Sequence, residues 1–134
     1  AQGITVKEQS YGYEVILPHL MPKRSHRNHT VFLLEPLTYA LKEFTVAHPI
    51  CRLEYALIWF IYEYTEDTPI HCIRDYDNIE TKEVLDIINS FFLLDDGGAF
   101  CELHYSTRRG NRTCTRVIIS SDIGLVSCQK IKGN

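Results

Sequence analysis

Leu53-Glu54-Tyr55-Ala56-Leu57-Ile58-Trp59-Phe60-Ile61-Tyr62-Glu63-Tyr64 decides the fold. This stretch is rich in the Ile, Tyr, Phe and Trp that fit a pleated surface, and Asp67-Thr68-Pro69 ends it. Polar residues do not alternate through it, so Arg52–Thr65 reads as a strand buried on both faces. A helix starting from Pro49 is the competing reading, because a continuous apolar run has no period that excludes one. The apolar run Tyr55 to Tyr62 falls far short of the roughly 20 residues that span a bilayer.

Toward the N-terminus, Tyr11–Leu20 predicts a strand. Tyr11, Tyr13, Val15 and Leu17 alternate with Gly12, Glu14 and Ile16 until Pro18 interrupts the ladder. Pro22 to Thr30 is a polar loop. Val31–Leu34 reads as a second short strand, and Glu35-Pro36 as a helix entrance, where proline's missing N–H is harmless. Leu37, Ala40, Leu41 and Phe44 follow at helical spacing, and His48-Pro49 closes the helix.

Toward the C-terminus, Ile70–Asp75 reads as a short strand and Asp77-Asn78 as a turn. Thr81 is placed to cap a second helix with the apolar stripe Val84, Leu85, Ile88, Phe91 and Phe92, and Asp95-Asp96-Gly97-Gly98 stops it. Ala99–Thr107 and Thr113–Ser120 alternate and flank Arg108-Arg109-Gly110-Asn111-Arg112, which predicts a hairpin. Ile123–Cys128 predicts a further strand. Residues 1–134 thus read as a single α+β domain, two helices packed on an antiparallel sheet of about five strands.

At 45% hydrophobic and 23% charged residues, the chain is not a disordered one. Its formal charge of −3 gives no global positive field toward nucleic acid or membrane. None of the five cysteines, Cys51, Cys72, Cys101, Cys114 and Cys128, forms a CxxC pair, and an odd count leaves at least one thiol unpaired within the chain. Two sequons, at Asn28 and Asn111, and a start at Ala1-Gln2-Gly3 fit a secreted mature form, with an intracellular protein of free buried thiols as the alternative. In the secreted form Cys128 is the disulfide candidate, since a bridge there restrains a long segment of the unfolded chain. No membrane span, metal or cofactor is implied. His26 and His29 lie in a basic loop with no nearby carboxylate.

Two basic groups are the binding candidates: Lys23, Arg24 and Arg27, and Arg108, Arg109 and Arg112 with Arg116 beyond. Solvated loop tips are the plain alternative; as an exposed binding surface on which the fold does not depend, Arg108, Arg109 and Arg112 are replaceable by Ser with a stability change within about 0.5 kcal/mol. Acidic Glu63-Tyr64-Thr65-Glu66-Asp67 and Asp95-Asp96 predict an opposite pole of charge. The hairpin register puts Cys101, Leu103, Tyr105, Val117 and Ile119 on one sheet face, and Glu102, His104 and Arg116 on the other. In an enzyme, Glu102 or His104 moves a proton and Arg116 holds a phosphate charge. In a plain sheet, the three are ordinary outward residues with a cross-strand ion pair among them.

The segment Arg116-Val117-Ile118-Ile119 through Gly124-Leu125-Val126-Ser127-Cys128 resembles the closing strands of microbial guanyl-specific ribonucleases and ribonuclease-like secreted fungal effectors. That resemblance covers about a dozen residues of common types. The N-terminal partner cysteine of those families is absent and the second helix is extra.

Weighed together, these features favour a small, secreted, non-catalytic binding protein of host-interaction effector type, whose basic loops and sheet face engage a protein partner. The alternatives are a nucleic-acid-binding accessory protein and a small ribonuclease-like enzyme using Glu102, His104 and Arg116.

Overall fold

The computed structural model describes residues 3–18, 31–50, 52–70, 81–93 and 100–121. Five strands form one sheet in the order β1-β2-β5-β3-β4. They are β1 Thr5–Gln9, β2 Gly12–Leu17, β3 Tyr55–Thr65, β4 Phe100–Gly110 and β5 Cys114–Ser120; the helices are α1 Val31–Ala47 and α2 Lys82–Phe92. The architecture is the expected α+β domain of two helices on a five-stranded sheet, and the sheet is mixed. β3 and β4 run parallel, while the β1–β2, β2–β5 and β3–β5 pairs are antiparallel.

The decisive stretch is a strand apolar on both faces. Ala56, Ile58, Phe60, Tyr62 and Tyr64 join the main core with Val15, Leu17, Val117, Ile119 and helix residues Leu37, Leu41, Val84, Ile88 and Phe92. On the opposite face Leu57, Trp59, Ile61 and Ile118 form a second cluster, against which Tyr11 packs. Phe60 is fully buried, and Trp59 donates Nε1–H to Ser106 Oγ at 2.7 Å, tying β3 to β4.

Several local expectations are corrected. Val31–Leu34 is helical, because Leu34, Leu37, Leu41 and Phe44 continue one stripe through it. Pro36 therefore lies inside α1 rather than at its entrance. Thr81 precedes α2 without a capping hydrogen bond from its side chain; its Oγ1 lies 3.1 Å from the Tyr105 hydroxyl. β1 is an unanticipated strand, joined to β2 through a two-residue turn after Gln9. Gly12 in β2 has φ +148, and a Cβ there would stand 2.1 Å from the Ile119 carbonyl oxygen, so only glycine lets β5 approach.

The largest correction concerns the hairpin. β4 and β5 follow one another yet do not pair, because β3 lies between them. An interior strand buried on both faces needs a hydrogen-bonded neighbour on each edge, and β4 and β5 supply the two. Asn111–Thr113 crosses the end of β3, from Gly110 level with Thr65 to Cys114 level with Glu63. Two inter-strand spacings are roughly 10 Å, within reach of so short a link.

The expected loop at 22–30, turn at 77–78, helix stop at 95–98, strand at 123–128 and nearly all of the strand at 70–75 lie outside the described residues. So do Lys23, Arg24, Arg27, His26, His29, Cys51, Cys72 and Cys128.

A basic cleft organised by a buried glutamate

Glu63 is the last outward-alternating residue but one of β3, and it is 3% exposed. The parallel register sets Arg108 of β4 directly beside it. In β5, Arg116 lies level with Ile61, one alternation along the same face. Both guanidiniums converge on one carboxylate oxygen. Arg116 Nε donates to Glu63 Oε1 at 2.9 Å and Arg108 Nε at 3.2 Å. Arg116 also donates from a terminal nitrogen to Glu14 Oε2 at 3.3 Å, and Gln9 Nε2 donates to the other Glu14 oxygen at the same length.

Arg109 points its guanidinium along the strand end, donating to the carbonyls of Thr65 at 2.9 Å and Thr68 at 2.6 Å. Gly110 completes the geometry, since a Cβ there would fall 2.1 Å from Glu63 Oε2. Glu63, Arg108, Arg109, Gly110, Asn111 and Arg116 line an open cleft of about 460 Å³. Three guanidiniums against one carboxylate leave its lining with a formal charge of +2.

The electrostatics follow from burial and pairing. Burial raises the Glu63 pKa, but the hydrogen bonds and charges of Arg116 and Arg108 outweigh it and hold the carboxyl below its ordinary value. For Arg116, desolvation lowers the pKa, and Glu63 with Glu14 more than reverses it. Burial, then the charge of Glu63, pushes the Cys114 thiol up. Burial, then Glu14, raises the Tyr11 phenol.

The sequence-derived candidates divide. Arg108 and Arg109 belong to β4 rather than to a loop, because the strand runs on to Gly110; they make intrachain hydrogen bonds, unlike solvated tips. Arg112 is exposed in the crossover. Glu102, His104 and Arg116 do share the sheet face opposite the helices, by register with Leu57, Trp59 and Ile61. Glu102 and His104 touch, His104 Nε2 lying 2.9 Å from Glu102 Oε1, and that hydrogen bond draws the Glu102 pKa down. Arg116 stands across β3 from them, committed to Glu63 and Glu14.

Glu63 is the residue that sequence reasoning placed wrongly, at an acidic pole. Its signal was a lone carboxylate in register with Leu57, Trp59 and Ile61 on a doubly apolar strand, where an unpaired charge is costly. Among the described residues, no group of three or more His, Cys, Asp or Glu could hold a metal ion, and no helix is long and apolar enough to cross a membrane. Cys114 is a free thiol.

Fold and cleft together define a small α+β domain with an arginine-lined cleft at the carboxyl ends of two parallel strands. The chain belongs to DUF6100, a family of unknown function, which it matches over residues 1–123. No curated protein sequence matches it. Among solved structures, two of the periplasmic domain of Helicobacter pylori MotB are similar at 13% identity. One has a TM-score of 0.47, covering 96% of this chain and 89% of that one; the other has 0.46, covering 97% and 87%.

Proposed function

We propose that this protein is a secreted, non-catalytic binding protein of host-interaction type, and that the Arg108, Arg109, Arg112 and Arg116 end of its sheet engages an acidic protein partner. The observation that carries this reading is the double hydrogen bond of Arg108 and Arg116 to buried Glu63. Flexible arginines lose rotamer freedom when a partner binds; guanidiniums already held by a buried carboxylate lose less. Arg112, exposed in the crossover, extends the positive surface under this reading.

Immobilised poly-L-glutamate at low salt tests it. Wild-type protein is expected to bind, and replacing Arg108, Arg109 and Arg112 by Ser is expected to slow capture, with the difference fading at high salt. The same preparation should leave RNA uncleaved. The contact between Glu102 and His104 favours acid–base chemistry as the second reading, and RNA cleavage lost in a folded His104→Ala variant would establish it in place of the first. A thiol count on denatured, unreduced protein tests secretion: one or three free thiols support it, and five oppose it.

A further inference from the structure

We infer that the cleft between Glu63, Arg108, Arg109 and Arg116 takes a doubly charged tetrahedral oxyanion, a phosphoryl group carried on a side chain of the protein partner. This deepens the binding reading and rests on it for the carrier.

Three features of the cleft select the chemistry. Its lining carries a formal +2, which a phosphoryl dianion neutralises and a single carboxylate does not. Its donors come from two strands separated by β3, so they approach a guest from different directions. That suits the oxygens of a tetrahedral group better than the flat edge of a carboxylate. The volume, about 460 Å³, leaves room beyond the phosphoryl group for the side chain that bears it.

The donors remain available. Each guanidinium carries several N–H groups. Among the described residues, Arg108 gives only its Nε, to Glu63, and neither terminal nitrogen has a protein acceptor. Arg109 is held by one terminal nitrogen on the carbonyls of Thr65 and Thr68. Glu63 is itself a positioning residue: 3% exposed in the lining of the cleft, it accepts from both Arg108 and Arg116 and so fixes the two guanidiniums. Arg112 does not line the cleft, which separates this inference from a general attraction to basic loops.

Titration of the full chain, followed by arginine Nε–H resonances at constant ionic strength, tests the inference with inorganic phosphate against acetate. A serine peptide rich in Glu is then compared with its phosphoserine twin. Phosphate is expected to shift the Arg108 and Arg116 resonances saturably and to bind at least about tenfold tighter than acetate, with a similar preference for the phosphopeptide. Arg108→Gln with Arg109→Gln should abolish both preferences, while Arg112→Gln changes them less than about twofold.

Equal response to phosphate and acetate, or equal losses from Arg112→Gln and Arg108→Gln, would overturn the cleft. Preference for phosphate without preference for the phosphopeptide would overturn the carrier. The wild-type arms decide the matter even if a variant fails to fold. Poly-L-glutamate capture with no phosphate preference leaves the binding reading standing and removes this one; phosphate preference without poly-L-glutamate capture leaves the oxyanion cleft standing and removes the binding reading together with the protein carrier.

Discussion

Arg116 Nε lies 2.9 Å from Glu63 Oε1 although 53 residues separate them along the chain. β5 brings that guanidinium to β3 by pairing with it, where a hairpin would have paired β5 with β4. The contact ties three consecutive strands of the sheet, because Arg116 also reaches Glu14 on β2. One ion pair thus records the strand order.

Replacing Glu63 by Ala should destabilise the domain by about 2 kcal/mol. It removes the shared acceptor of two arginines, and the loss stays moderate because Arg108 and Arg116 side chains keep 46% and 22% of their surface exposed. Urea denaturation measures it. An unchanged midpoint would mean that the carboxylate does not hold the arginines in solution.

Acid should weaken the fold through the same group. The Glu63 carboxyl titrates below its ordinary value of 4.5 when folded, so its pairing adds stability above that value. This contribution is lost as pH falls through the lower, folded pKa, since the unfolded chain takes up the proton first. Melting curves from neutral pH down to about 3 should show a decline that Glu63→Gln flattens. An identical decline in both proteins would remove Glu63 as its source.

Gly110→Ala should cost about 1–3 kcal/mol, as overpacked sites do. The added methyl would meet three atoms of the Glu63 side chain within 2.6 Å, and the paired carboxylate could not yield without releasing Arg108 and Arg116. Combining it with Glu63→Ala should restore part of the loss, because the clash then vanishes. Strict additivity in that double-mutant cycle would argue against the close approach.

Phe60→Ala is expected to cost about 3–5 kcal/mol and to approach the whole stability of a domain this size. The ring is fully buried and stacks with Tyr105 at 5.8 Å, so the cavity cannot refill with water cheaply. Trp59→Phe should cost less, about 1 kcal/mol, by leaving Ser106 without its indole donor. The reverse order of effects would contradict the assignment of the two faces.

Cys114 should resist alkylation in the native protein. Burial and the neighbouring Glu63 charge keep its thiol protonated, and the thiolate is the reactive form. Timed iodoacetamide labelling with peptide mapping should show Cys114 modified rapidly only after denaturant is added. Fast native labelling would mean that the start of β5 opens readily.

Local chemistry made most of the elements and their faces legible, though not β1 or the first turn of α1. β3 could be read as a strand buried on both sides, because an unbroken run of Ile, Tyr, Phe and Trp between turn signals has few other uses. α2 followed from its stripe, and alternation put Val117 and Ile119 toward the helices and Glu102, His104 and Arg116 away from them. Strand order was not in the sequence. Adjacent alternating segments around a Gly-containing link imply a hairpin locally, but β3 needed a hydrogen-bonded neighbour on each edge, and that requirement separated β4 from β5. The cleft depends on the same non-local choice. Arg108 reaches Glu63 through parallel pairing and Arg116 through antiparallel pairing, so a carboxylate that reads as a charged strand end became the buried anchor of two arginines only when three strands met.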